Sequence, residues 1–373
     1  MYIFDYRYLF KFLMCLYFLM ECKSDFEEEV RNYAESFGGF YNAHVHGDRA
    51  FTYEDKYLSH VGRNVADLSQ LTLKEKQSLV WAIHTGTAFE PECIEERMRR
   101  VVEYSIRFGT KRLNTTVDVT YNTRFKSLEI AEKLREEYKD RLELKIGAYN
   151  VAGFRDDRHE RAEIFEESAK RADFLVGLAE KDAKQRHIGE EEHNDYMLNL
   201  SFKLKKPIQF HVGQANVPDE KRTFDLLDSM RQVFDVHYRT KDYPNVDAVH
   251  VISPSCYSKE EFKKLVDKML EYNVGLICCP SAGISMKQDS AQIAPVHNSL
   301  AKLWDFALAG VRVSLGTDNI NDIFMPSSNC DLLDEVKCLS DVLRFYSPRI
   351  LAKVACGKEL DDFDKGTIKR AFG

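Results

Sequence analysis

The stretch "GGFYNAHVH", Gly38 to His46, is a short apolar run that ends on two histidines spaced two apart. On a β-strand that spacing sends both imidazoles to one face. Seven further runs have the same make-up: "RLNTTVDV" (112–119), "LELKIGAYN" (142–150), "ADFLVGLA" (172–179), "PIQFHVG" (207–213), "VDAVHVIS" (246–253), "VGLICCPS" (274–281) and "VRVSLGTDN" (311–319). Between them lie charged segments such as "SLEIAEKLREEYKD" and "SKEEFKKLVDKMLEYN", whose apolar residues recur every three or four positions and predict amphipathic helices. Strands apolar on both faces, each followed by a helix, form parallel sheets. Eight such units predict an α/β fold, a (β/α)8 TIM-type barrel, with an open doubly wound sheet as the alternative.

The 373 residues, 44% hydrophobic and 12% aromatic, are enough for one large core, and no repeat or low-complexity linker divides them. The expected organisation is an N-terminal extension or helical leader over 1–38 and a barrel with C-terminal helices over 39–373. A net charge of -7 and the lack of a dense Lys/Arg block argue against a nucleic-acid partner and for a small-molecule substrate, with a homo-oligomer left open. Nine cysteines without CxxC pairs predict no disulfide framework and point to the cytoplasm. "LFKFLMCLYFLM" (9–20) has the apolar density of a targeting segment but is interrupted by Lys11. It is too short for stable membrane insertion, so a packed helix or leader is the favoured reading, with a targeting segment as the alternative.

Metal-ligating side chains gather at the predicted strand ends. His44 and His46 end the first strand, His211 the fifth and His250 the sixth, and Asp318 follows the eighth. A single strand histidine is most often a satisfied core residue. Several at the C-terminal ends of one barrel are another matter, because barrel enzymes build their sites there. Imidazoles with one carboxylate suit one divalent transition metal, zinc or iron. Cys278 and Cys279 are expected in the core, and His60, His84, His187 and His193 on the surface or in hydrogen bonds. His297 and Asn319 are expected to bind substrate. The insertion after the first strand, "GDRAF…HTG" (47–86), is a candidate lid or substrate wall.

This order of residues resembles the amidohydrolase superfamily, and most closely its cytosine deaminase-like branch. "LNTTVDVT" (113–120) resembles the second strand of cytosine deaminases, and "GTDNINDIFMP" (316–326) their eighth-strand loop. The resemblance runs from about Phe40 to Met325. It implies a barrel holding one iron or zinc ion through His44, His46, His211 and Asp318, with His250 near the reacting water or the substrate. The flanking β-sandwich of the family is not expected in full, since only a short stretch precedes the first strand. Where cytosine deaminases read the pyrimidine with a glutamine after the third strand, this chain has Asn150 or Val151. Where the family carries a glutamate three residues after the fifth-strand histidine, it has Gln214.

A glutamine can hold substrate by hydrogen bonds but cannot carry a proton. The expected activity is therefore a metal-dependent amidohydrolase, cleaving a C–N bond of a cyclic amide or aminated heterocycle with a metal-activated water. Asp318 would take the proton, His250 would orient the water and Gln214 would bind the substrate. Two alternatives stand beside it. One is a cytosine or adenosine deaminase-like aminohydrolase using another carboxylate, Asp219 or Glu220; the other is a catalytically silent barrel that binds metal or ligand.

Overall fold

The computed structural model describes residues 24–154, 160–236, 243–286 and 300–372. Eight parallel strands run in sequence order around one sheet: β1 Phe40–His46, β2 Thr110–Asp118, β3 Glu143–Tyr149, β4 Phe174–Gly177, β5 Ile208–Val212, β6 Val246–His250, β7 Val274–Cys278 and β8 Val313–Leu315. Each overlaps one of the eight apolar runs, β2 starting two residues before its run, and a helix or helical turn follows every one, which makes the molecule a (β/α)8 barrel.

The barrel closes where β1 meets the chain leaving β8. Val45 bridges Asp318 in parallel, His46 N donates to Asp318 O at 3.0 Å, and Asp318 N donates to His44 O at 3.0 Å. Asn42 locks the same seam from its side chain, donating to Thr317 Oγ1 at 2.8 Å and accepting from Thr317 N at 3.2 Å. Gly316 permits the approach, since a Cβ there would stand 2.8 Å from His44 O. The same backbone pairs that shut the barrel thus fix Asp318 beside His44 and His46.

Helices pack around the sheet by the periodicity expected of them. Pro91–Arg107 starts on a proline, tolerated where no helical N–H partner exists, and buries Ile94, Met98, Val101 and Val102. Ser258 and Glu261 form a reciprocal cap at the start of Lys259–Glu271. The C-terminal helices Leu332–Leu343 and Pro348–Ala355 share a buried cluster with helix Asp25–Ser36, in which Val30, Leu339, Leu351 and Val354 are fully enclosed. Arg31 ties that first helix to Asp331 at 2.5 Å.

The 47–86 insertion folds into short helices, Asp55–Leu58, Val65–Ser69, Leu73–Ser78 and Val80–Thr85. Its entry is pinned from the next helix, where Arg97 donates to the carbonyls of Asp48 and Ala50, each at 2.7 Å. Thr72 and Glu75 cap Leu73–Ser78 reciprocally, which sets that helix's direction. Among the described residues, no helix is long and apolar enough to cross a membrane. The apolar segment 9–20 lies outside them.

Candidate metal centre and its cavity

His44, His46, His211 and Asp318 are all buried, and one ligand atom from each lies within 4.8 Å of the others. The Nε2 atoms of His44 and His46 are 3.4 Å apart, those of His211 and His44 3.1 Å, and Asp318 Oδ1 is 3.1 Å from His46 Nε2 and 3.8 Å from His44 Nε2. His44 and His211 are turned inward by an acceptor on the other ring nitrogen, the arrangement that orients metal-binding imidazoles. Gln209 donates to Ala43 O at 3.0 Å, which directs its Oε1 to His44 Nδ1 at 2.8 Å. His44 Nδ1 therefore carries the proton and Nε2 the lone pair. His211 Nδ1 faces Gly177 O at 3.4 Å. His46 Nδ1 meets the Thr116 hydroxyl at 2.7 Å and the Arg49 guanidinium.

The donor set fits a divalent ion. Ligands about 2.0–2.1 Å from a tetrahedral zinc stand a little over 3 Å from one another, and the closest of these do. Lone pairs at such spacing repel unless a cation lies between them, and buried Asp318 Oδ1 has no hydrogen-bond partner. Electrostatics favour the same forms. Burial pushes His44 down to about 3, and it pulls His46, His211 and His250 below the usual histidine value, so all four imidazoles are neutral at pH 7. Burial alone would raise Asp318, but the imidazoles of His46, His250 and His44 outweigh it and hold the carboxylate ionised. Zinc and iron both accept this set.

His250 stands over the centre, its Nε2 3.9 Å from Asp318 Oδ2. His250 and Asp318 both have left-handed backbone, with φ of +79° and +58°. Such conformations are rare outside glycine and cluster at functional sites. Two adjoining cavities open here, each about 50 Å³. Gln214, His250, Asp318, Asn319, Leu73 and Phe324 border both.

Four residues expected to serve the site fare differently. Asn150 is not in either lining; it closes a turn, donating to Gly153 O at 3.1 Å and accepting from Ala152 N at 3.3 Å. Its neighbours Tyr149 and Val151 border the cavity instead. His297 lies outside the described residues. Asp219 borders a separate surface hollow, and Glu220, though buried, is occupied by Ser253 Oγ and by Ala215 N at 2.8 Å. Neither is a carboxylate free to serve the centre.

Other residues were not foreseen. Glu180, just past β4, accepts from Gln214 Nε2 at 2.9 Å and from Gln77 Nε2 at 2.8 Å. Lys76 reaches the cavity from the insertion. Behind His46, Arg49 pairs with Asp118 at 3.3 Å, and Asp118 accepts from His84 Nε2 at 2.8 Å. Burial would raise Asp118, but Arg49 and His84 keep it ionised. His84 and His193 are buried, His193 bonding Asp182 at 2.6 Å, so hydrogen bonding rather than exposure describes them. Arg49 adjoins the "HVHGD" run, and its sequence position was the only available signal.

The fold and site define a (β/α)8 barrel with a His-His-His-Asp centre at the C-terminal ends of its strands. No family model matches the chain. An uncharacterized protein of Haemophilus influenzae is 27% identical over 275 residues, covering 74% of this chain and 92% of that one. The N-isopropylammelide isopropyl amidohydrolase of Pseudomonas sp. strain ADP is 22% identical over 303 residues, 79% of this chain and 66% of that enzyme. Among solved structures, 5-methylcytosine deaminase from Klebsiella pneumoniae superposes with TM-score 0.68 at 17% identity, covering 89% of this chain and 82% of the other. N-isopropylammelide isopropylaminohydrolase from Burkholderia multivorans gives 0.64 at 18% identity, with 90% and 75% covered. These likenesses establish the fold.

Proposed function

We propose that the protein is a metal-dependent hydrolase of the amidohydrolase type, cleaving a C–N bond in a small cyclic amide or aminated heterocycle. One observation carries this reading: His44, His46, His211 and Asp318 converge at the barrel mouth, where the buried Asp318 Oδ1 faces only histidine nitrogens, His46 Nε2 at 3.1 Å and His44 Nε2 at 3.8 Å. Three of the four similar proteins described above are named as enzymes acting on C–N bonds. A divalent ion held by these four residues supplies Lewis acidity and makes a nearby water easier to deprotonate. Asp318, ionised and buried, takes that proton. His250, neutral and beside Asp318 Oδ2, positions the water or the electrophile by hydrogen bonding. Gln214 and Asn319 hold the substrate's polar edge.

The test is purification without chelators, metal analysis, and a screen for ammonia or amine release across cyclic amides and aminated heterocycles. About one zinc or iron per chain is expected, and His44→Ala/His46→Ala should lose it. Asp318→Ala should keep part of the metal through the histidines and lose turnover by roughly a hundredfold or more. Metal retained by the double variant would refute the centre, and full activity in Asp318→Ala would refute the role of the aspartate.

A deaminase-like reaction with a separate proton carrier is favoured by one further observation, the Glu180 carboxylate 2.9 Å from Gln214. In that reading Glu180, not Asp219 or Glu220, supplies the acid-base group. Loss of ammonia release in Glu180→Gln with substrate binding intact would support it; unchanged release would remove it.

A further inference from the structure

The groups around the cavity differ sharply in what they can offer a ligand. A carboxylate only accepts hydrogen bonds, so it dictates which end of an amide faces it. Glu180 Oε1 takes Gln214 Nε2 at 2.9 Å and Gln77 Nε2 at 2.8 Å. Asp322 Oδ2 takes Asn319 Nδ2 at 2.6 Å, and Asp322 Oδ1 is itself fixed by the backbone N–H groups of Phe324 at 2.8 Å and Met325 at 3.0 Å. Both cavity amides thus turn their nitrogens to an acid. Their carbonyl oxygens, which make no hydrogen bond among the described residues, are left for a ligand.

Lys76 is the opposite case. It lies on helix Leu73–Ser78 and is 6% exposed, and among the described residues it has no ion pair. Its Nζ makes one long contact, 3.4 Å to Phe324 O. An ammonium carries three donors, and its enclosure is costly: burial outweighs the attraction of the Asp322 carboxylate and pulls Lys76 below the usual lysine value. It borders the cavity with Asp318, His250, Gln214 and Asn319, so its unused donors share the space where a substrate would sit.

The geometry points to a substrate ring that presents N–H groups to Gln214 and Asn319 and an oxo or anionic oxygen to Lys76. This deepens the proposed function and rests on the substrate occupying that same cavity. Cyclic imides, ureides and oxo-tautomers of hydroxylated azines carry both features. A purely amino-substituted aromatic ring can offer N–H to the amides, but it meets Lys76 with an amino donor or a neutral ring nitrogen, a weaker partner for an ammonium than an oxo or anionic oxygen. A mismatch of that kind against a buried polar group discriminates strongly. Glu180 and Asp322 are then positioning residues, and Lys76 reads the oxygen.

The test compares two pyrimidines of similar size by calorimetry on the metal-loaded protein. Barbiturate has oxo oxygens and ring N–H groups; triaminopyrimidine has amino groups and ring nitrogens, and is used at a pH where it is neutral. Barbiturate is expected to bind at least about tenfold more tightly. Lys76→Met should weaken barbiturate by roughly tenfold to a hundredfold, the effect of one charged hydrogen bond, while leaving triaminopyrimidine unchanged. Lys76→Arg, which keeps the charge, should recover much of the affinity and guards against a folding defect. Equal binding of the two compounds by the parent, or undiminished barbiturate binding by Lys76→Met, overturns the inference. The preference without amine release from any aminated oxo-ring upholds it and sinks the hydrolase reading. Hydrolysis with equal binding does the reverse.

Discussion

Gln214 sits where its resemblance places a proton-carrying glutamate, and the contact with Glu180 changes what restoring that glutamate would do. Gln214→Glu would set two carboxylates where an amide now donates at 2.9 Å, and like charges that close cannot both ionise at ordinary cost. The pair would hold a shared proton, so its folded pKa is raised above the free value of about 4.3. The native state then binds more protons than the unfolded one above that value, and stability falls as pH rises. The variant should therefore melt at a progressively lower temperature between about pH 5 and pH 8, relative to the parent. Adding Glu180→Gln should flatten that slope, because the double variant only exchanges which partner is the acid. A single variant with the parent's pH profile would show that the two side chains do not meet. The exchange variant is also the fairer protein in which to look for new deamination.

At the scale of elements, strands and helices were readable from the chain because both obey simple periods. The apolar runs of β4, β5 and β7 are buried along their whole strands, and those of β1, β2, β3 and β6 are buried at their C-terminal ends. The candidate metal set was readable too, since HxH on a strand and single candidate ligands at two later strand ends, His211 and Asp318, are local signals. The rim was not. Lys76, Gln77 and Glu180 lie in charged surface-like sequence, and only the folding of the insertion brings Lys76 and Gln77 to the two adjoining cavities and sets Gln77 against Glu180. Asn150 was placed near the substrate by position alone, whereas its side chain has a turn to close. Helix Leu332–Leu343 hides another such group: Glu335, 3% exposed, accepts from Ser281 N at 2.8 Å and is pushed up to about 8 by burial. Its neutral form is the folded one, so its stabilising share is complete below the free-glutamate value and is gone once pH passes about 8. Glu335→Gln should remove a decline of up to about 1.4 kcal/mol per pH unit across that window, measured by denaturant melts. An unchanged pH dependence would show that Glu335 is ionised in the fold.

For the whole molecule, a metal held as proposed would be coupled to barrel closure, because Asp318 belongs both to the candidate ligand set and to the β1–β8 seam. Ligands that bind only the native state stabilise it by mass action, about 2.7 kcal/mol at a hundred times the dissociation constant. Zinc added to chelator-treated protein should raise Tm by several degrees, and His44→Ala/His46→Ala should abolish the rise. A Tm indifferent to zinc in the parent would mean that the seam holds without the ion.

The four ligating side chains belong to strands or the strand-end seam, while Lys76 and Gln77 ride on the 47–86 insertion. Under the proposed function, reactivity and taste are thus carried on different segments of the chain. A lineage could change its diet by rewriting the insertion, with the ion and its water left as they were. Descendants would then share a reaction and differ in what they consume, and comparison of their insertions would say more about diet than comparison of their strands.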